Sequence, residues 1–229
     1  MNKKLLKELE SLTSPKFVKF FPASLFMLVN KDFKTDNKKL IKSINAHREK
    51  NKKGLSKSNY GGYHSEINIH GLSDFKKIAT KFINSYAAIV SIHYGYECIK
   101  DKKRYNKIKQ SLAAMWYVVN NKNDGHTIHS HPRAWLAFSY YIKLPEKNNI
   151  ICFHDPIQAR RQDGDQADFT SVVNVNEGDI LFFPGWFEHS VPQNTSDKDR
   201  IIISGNFSKP DFIKKTASLH EKNKGEENG

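Results

Sequence analysis

Cysteine is nearly absent. Cys98 and Cys152 are the only two in 229 residues, and neither belongs to a C-x-x-C pair. Two distant thiols cannot build a disulfide framework, and alone they cannot make a structural zinc site. This usage fits a reducing compartment, so a cytoplasmic protein is expected. Long hydrophobic runs are missing as well. The longest apolar stretches, such as residues 180–186, fall far short of the roughly 18 residues a membrane helix needs. The opening MNKKLLKELESLTSP is basic and amphipathic, with no signal-peptide apolar region or small-residue cleavage site. A soluble chain without a membrane partner is expected. Negative charge is scarce: 24 acidic residues stand against 37 basic ones, a net charge of +13. That balance would suit a polyanionic partner. The basic residues, however, scatter through 31–58, 99–109 and the tail without a nucleic-acid motif. Lysine travels with abundant Asn and Ile, the mixture an AT-rich genome imposes. Solvated charged faces are the expectation, and specific nucleic-acid binding is not.

No internal repeat is visible, and the length allows one large domain with a substantial core. Residues 1–12 carry a helical pattern with Leu5, Leu6 and Leu9 on one face, ended by Ser14-Pro15. FVKFFPASLFMLVN (17–30) reads as extended, interrupted by Pro22. Residues 34–50 have helical spacing, and 51–63 form a Gly- and Ser-rich loop. Residues 73–96 give the clearest helix, with Ser73 as N-cap and Phe75, Ile78, Phe82, Ile83 and Tyr86 on its apolar face. From about residue 113 the texture changes. AAMWYVVN, HTIHSH, WLAFSYYIKL, NIICFHD, TSVVNVN, DILFFP and RIIISGNF are short, aromatic and β-branched, with polar turns between them. Even spacing of such strands predicts an antiparallel sandwich or barrel. The expected architecture is mainly β with flanking helices. A helix-rich part over 1–112 packs on a jelly-roll core over 113–208, followed by a tail over 209–229 that frays.

Five residues of that second part carry chemistry. On a strand, His129 and His131 of GHTIHSHP (125–132) share a face, with their imidazoles roughly 7 Å apart. About 0.4 such H-x-H pairs are expected by chance in this composition, so the motif needs its context. By itself it reads equally as two solvent-facing histidines at a strand end. GDILFFPGWFEHSVPQN (178–194) supplies His189, either a lone turn histidine or, if its strand lies beside the H-x-H strand, a neighbour of that pair. Asp155 ends the strand NIICFHD, expected on the other flank of the His189 strand. It is either a ligand completing a two-histidine, one-carboxylate iron site or a turn starter ahead of Pro156. In RIIISGN, residues Arg200, Ile202, Ser204 and Asn206 share one face. An inward Arg200 would need an anionic partner, with Ser204 as a second donor to the same carboxylate. The alternative is a surface arginine paired with Asp197 or Asp199.

Taken together, these segments resemble the 2-oxoglutarate/Fe(II)-dependent oxygenase superfamily. The resemblance is to a bacterial and phage branch related to the prolyl-hydroxylase-like group. It runs through Trp116, His129-Ser130-His131-Pro132, Tyr140-Tyr141, Phe153-His154-Asp155-Pro156, the stretch from Pro184 to Val191, and the stretch from Arg200 to Asn206. Upstream, FFPASLF and the stretch from Ser58 to Ser65 also match, so roughly residues 17–208 are covered. The resemblance implies a double-stranded β-helix. It implies Fe(II), 2-oxoglutarate and O2 as cofactor and co-substrates, succinate and CO2 as by-products, and hydroxylation of a substrate that the sequence does not identify. Arg200 would hold the distal carboxylate of 2-oxoglutarate, with Tyr141 as helper, and His189 would be the distal iron ligand. The wider superfamily places Asp or Glu where this chain has His131. Either Asp155 replaces that carboxylate, which is the favoured expectation, or the iron has three histidines. The loop 160–169 is a candidate lid. Two other readings stand beside this one. A cupin-type metal enzyme would use three histidines and no 2-oxoglutarate, and would not need an inward Arg200. A non-catalytic jelly-roll binding or phage structural module would leave the histidines incidental. A homodimer is compatible with the sequence.

Overall fold

A computed structural model of the chain describes residues 16–20, 23–94, 100–146, 149–155 and 170–211. Two antiparallel sheets face each other. The larger has seven strands: β1 (Lys16–Phe20), β2 (Ala23–Val29), β10 (Asp179–Pro184), β7 (Leu136–Lys143), β12 (Arg200–Phe207), β5 (Leu112–Asn120) and β4 (Tyr63–His64), in that spatial order. The smaller has five: β3 (Asn59–Tyr60), β6 (Gly125–His129), β11 (His189–Val191), β8 (Ile150–His154) and β9 (Thr170–Asn174). The helices are α1 (Phe33–Lys50), α2 (Lys76–Tyr94) and α3 (Lys102–Lys109). From residue 112 onward each strand passes to the other sheet from the one before it, except for the β8–β9 hairpin within the small sheet, the winding of a double-stranded β-helix, so the expected jelly-roll core is what the chain forms.

The central strands of the large sheet are buried on both faces, which is why they read as continuous apolar runs rather than alternating ones. In β7, Leu136, Phe138, Tyr140 and Ile142 face the helical layer, whereas Ala137 and Tyr141 face the small sheet. Likewise Ile180 and Phe182 of β10 face the helices, and Leu181 and Phe183 face inward. Phe82 of α2 packs 4.6 Å, ring to ring, from Phe138, and Tyr86 stacks on Phe207 at 4.0 Å. One core therefore glues helices to sheet. The other fills part of the space between the sheets and leaves a cavity in the rest.

Several expectations change in detail. Ser73 does not cap a helix: residues 73–75 make a 3-10 turn, and α2 begins at Lys76. The 51–63 loop contains β3 and leads directly into β4, strands of two residues each, too short to show a period of two. α3 was not expected. Its signal was Asp101, whose carboxylate accepts hydrogen bonds from the backbone N–H groups of Lys103 and Arg104 as an N-cap. The first part of the chain is not only helical, because it contributes strands to both sheets. The helix expected over 1–12, the lid over 160–169 and the tail from 212 lie outside the described residues.

A buried polar network joins α1 to α2. Asp36 is 5% exposed and accepts from Asn30, Lys77 and Lys81. Burial pushes the Asp36 carboxyl up, but these donors outweigh it and hold it below its ordinary 3.8. A depressed carboxylate stabilises the fold above its unfolded value, and that contribution is lost as pH falls through the lower folded value. Asp36→Asn should cost about 2–3 kcal/mol at neutral pH. In urea titrations its deficit should shrink as pH falls below 3.8. A deficit unchanged with pH would show that the ion pairs do not carry the effect.

Candidate metal and co-substrate site

The site forms where the ends of β6 and β11 meet. His189 pairs across the strands with His129, and Val191 pairs with His126. Three residues of β11 thus oppose four of β6, a β-bulge that bends the strand and re-aims its side chains. His126 and His129, three apart, both turn inward with ring centroids 6.0 Å apart. His131 lies just past the strand, where its backbone N–H donates to the Gly185 carbonyl at 2.7 Å. A Cβ at Gly185 would meet the Ala134 carbonyl oxygen at 2.2 Å, so only glycine lets the two loops close this tightly.

The result is a cluster of three imidazoles. Ring centroids are 4.2 Å apart for His129 and His189, 5.1 Å for His131 and His189, and 5.4 Å for His129 and His131. One ligand nitrogen from each lies within 4.8 Å of the others, a group that could hold a metal ion. The Nδ1 of His129 lies 2.8 Å from the Thr127 carbonyl, and the Nδ1 of His189 lies 2.8 Å from the Phe187 carbonyl. A carbonyl only accepts, so each Nδ1 carries the proton and each Nε2 keeps a free lone pair. This is the tautomer a metal requires. Burial, followed by the neighbouring imidazoles, holds His189 well below the ordinary histidine value. The same causes bring His131 down to about 4. The rings are therefore neutral near pH 7 and can ligate without first releasing a proton.

The strand layout around Asp155 is as expected. β8 flanks β11 and runs parallel to β6, with Phe153 opposite His189. Asp155 is 2% exposed at the end of β8. It is nevertheless not among the residues whose ligand atoms converge. The favoured set of two histidines with Asp155 is not the one the fold gathers. His131, at the position where the wider superfamily has its acid, joins His129 and His189 instead.

Arg200 opens β12 and is 1% exposed, which rules out the surface reading. Asp197 pairs with Lys122 at 2.9 Å instead. One guanidinium nitrogen of Arg200 donates to the Ile150 carbonyl at 2.9 Å, while Nε has no partner. The guanidinium lies 5.9 Å from the Tyr141 ring centroid, and the buried Tyr141 hydroxyl is also unpartnered. Asn120 stands directly across from Arg200 on β5, with both side-chain amide atoms buried and unpartnered. No acidic residue pairs with Arg200 among the described residues. Burial lowers its pKa, which is the cost of a charge without a counterion. Ser204 is on the expected face, but four residues along the strand is roughly 13 Å. It faces Trp116, whose ring is 5.6 Å from that of His131, and its hydroxyl meets that of Ser139 at 3.2 Å. Ser204 therefore sits towards the imidazoles, too far along to share a carboxylate with Arg200.

A cavity of about 500 Å³ runs between the sheets, lined by His129, His131 and His189 and by Tyr141, Ile202 and Ser204. His126 lines it too, its ring centroid 6.0 Å from that of His129. Sequence reasoning did not single out His126, His64 or Asn120. His126 has no signal because a bulge, not alternation, turns it inward, and His64 sits on a two-residue strand. Asn120 could have been found, as it continues the inward-facing series Trp116 and Val118.

Residues 114–206 match the family described as "Putative 2OG-Fe(II) oxygenase". No curated protein matches the chain in sequence. Among solved structures, a Pseudomonas putida prolyl-4-hydroxylase is similar at TM-score 0.51 and 11% identity, over 91% of this chain and 99% of that one. HygX from Streptomyces hygroscopicus, solved with nickel and 2-oxoglutarate bound, is similar at TM-score 0.56 and 8% identity, over 91% and 87%. The carbocyclase SnoK from nogalamycin biosynthesis is similar at TM-score 0.54 and 10% identity, over 90% and 83%. At these identities the structural likeness establishes the fold. The family match lies over the core that carries the three imidazoles and Arg200, so this part of the chain is similar to the 2-oxoglutarate/Fe(II)-dependent oxygenases.

Proposed function

We propose that the cavity binds Fe(II) on His129, His131 and His189, and 2-oxoglutarate between that metal and Arg200, and that the protein hydroxylates a further substrate. The observation that carries this reading is the buried Arg200 with no acidic partner among the described residues. A guanidinium in a low-dielectric site is costly unless an anion meets it. The free Nε, the Tyr141 hydroxyl and the Asn120 amide supply donors for a carboxylate there. Three neutral imidazoles line the cavity, with Nε2 left free on His129 and His189, and they suit an Fe(II) ion that keeps positions open for its co-substrates. The residues present therefore fit both groups.

Bound iron with 2-oxoglutarate and O2 supplies the oxidising chemistry, and the co-substrate leaves as succinate and CO2. The protein's part is positioning and exclusion of water. The carbonyls of Thr127 and Phe187 fix the imidazole tautomers. Phe183 and Phe153 pack 4.8 Å and 5.9 Å from the His189 ring and keep that side dry. A fixed guanidinium fork orients a dicarboxylate lengthwise along the cavity. A cupin-type enzyme would use the same three imidazoles, but it gives Arg200 no role.

The test is succinate release from 2-oxoglutarate by the Fe(II)-loaded protein over a panel of candidate substrates. Hydroxylated product should form in step with succinate. A reaction that consumes the substrate but not 2-oxoglutarate would favour the cupin-type reading. The ligand set has its own check: Asp155→Asn should leave Mn(II) affinity within about threefold of wild type by calorimetry, since outer-shell losses start near tenfold. A loss of a hundredfold would restore Asp155 as a ligand.

A further inference from the structure

The oxygenase reading leaves the charge of the cavity unbalanced. A histidine that ligates through one ring nitrogen and keeps its proton on the other is neutral. Three imidazoles therefore offset none of the charge of Fe(II). 2-Oxoglutarate brings two carboxylates. One meets Arg200 and the other meets the metal, so half of the ion's charge stays without a counterion. The wider superfamily cancels that remainder with an acid at the position of His131. Here the cavity lining contains no Asp or Glu among the described residues. Asp155 is buried, but it is not in the lining and has a partner of its own. Glu66, next in sequence to the lining residue Ile67, lies 3.6 Å from His47 instead.

The lining adds a further positive charge. Lys57 is exposed, lines the cavity and has no ion-pair partner among the described residues. Its segment is tied to the metal side. The backbone N–H of Thr127 donates to the Ser58 carbonyl at 3.0 Å, which extends the pairing of β3 with β6 and sets residues 57 and 58 beside the strand that ends in His129. The Ser58 hydroxyl lies 3.2 Å from Nδ1 of His126, whose ring centroid is 6.0 Å from that of His129. A cleft lined by one sign of charge focuses its field on whatever enters. An ammonium group would meet the metal and Lys57 with no counterion, a costly arrangement in a confined site. A neutral group would leave both charges as they are, whereas an anion offsets both. The net charge of +13 on the whole chain favours the approach of anions as well. We propose that the primary substrate carries an anionic group, a carboxylate or a phosphate, which the cavity receives on the Lys57 side of the metal. Lys57 is then a specificity-determining residue for the oxygenase described above, and the inference rests on that reading.

The test uses the full chain loaded with Mn(II) and 2-oxoglutarate without oxygen, so that nothing turns over. Calorimetry first records 2-oxoglutarate uptake by wild type, Lys57→Met, Lys57→Glu and Lys57→Arg. Lys57 is exposed, so none of these should disturb the fold. Four rings are then titrated: cyclohexanecarboxylate, cyclohexyl phosphate, cyclohexanecarboxamide and cyclohexylammonium. On the wild type, the carboxylate or the phosphate should bind about tenfold tighter than the carboxamide, which is what a unit charge roughly 10 Å away confers at an effective dielectric of about 20. Whichever of the two binds tighter identifies the anion. Lys57→Met should cut the preference about threefold, the worth of an exposed ion pair. Lys57→Glu should abolish it, and Lys57→Arg should keep it. A merely structural role would weaken all the rings together and leave the ratio alone. The inference is overturned if the carboxamide equals both anions, if the ammonium binds tightest, if no ring binds, or if Lys57→Met or Lys57→Glu keeps the preference in full. It is also overturned if added 2-oxoglutarate displaces the anions, which would put them in the place of the co-substrate. Failure of the wild type to take up 2-oxoglutarate would instead overturn the oxygenase reading, and this inference with it.

Discussion

Arg200→Met should abolish measurable 2-oxoglutarate binding to the Mn(II)-loaded protein and leave Mn(II) binding intact. The guanidinium is buried, and among the described residues its one hydrogen bond goes to a backbone carbonyl. Truncating one member of a buried charge pair costs roughly 2–5 kcal/mol, about 30-fold to several thousandfold in affinity. Lysine should rescue only in part, because it keeps the charge but loses the planar fork. The variant has a second signature. Without co-substrate, Arg200 is a buried charge with no acidic partner among the described residues, so a methionine of similar length should leave the ligand-free fold as stable as wild type or up to about 4 kcal/mol more stable. Thermal melts with and without 2-oxoglutarate separate the two effects. Wild type should gain stability with ligand by mass action, and Arg200→Met should start no lower and gain nothing. A variant that still melts higher with 2-oxoglutarate would place the carboxylate elsewhere.

His189→Leu should remove the metal. This side chain has the shortest ring distances in the cluster, its tautomer is fixed by Phe187, and it is 4% exposed. Spreading the roughly 10–16 kcal/mol of a four-ligand structural metal site over its ligands gives about 2.5–4 kcal/mol each, on the order of a hundred- to a thousandfold in affinity. Leucine fills the space between Phe153 and Phe183, so the ligand-free fold should hold. Circular dichroism and melting of the metal-free protein check this, and calorimetry with Mn(II) reads the loss. His131→Asp is the informative companion. It puts a carboxylate where the wider superfamily has one and should retain metal binding, whereas His131→Ala should not. If His189→Leu kept near-wild-type Mn(II) affinity, the three-imidazole centre would be wrong.

The jelly roll was legible because it depends on local signals. The run from Leu112 to Phe207 alternates short β-branched strands with polar turns, and Pro184-Gly185 and Asp155-Pro156 mark strand ends. Helices α1 and α2 were legible from their period. α3 was missed for want of apolar residues, since only Ile108 of it is buried. Arg200 and the three histidines were visible as candidates from their residue types and their place on a strand, whereas Tyr141 entered only through the family resemblance.

The sequence by itself determined the fold class, the family resemblance and the short list of chemical groups. These follow from periodicity and from motifs that are contiguous or nearly so. Only the tertiary structure decided which groups meet. Whether His131 or Asp155 stands beside His129 and His189 depends on where two strands end relative to a third, some 35 to 60 positions away in the chain. A one-residue bulge turned His126 inward, against the alternation its position implies. Arg200 reads the same from sequence whether it faces water or the interior. Its burial follows from the second sheet that closes over β12, and a pairing between distant strands leaves no mark in either strand alone.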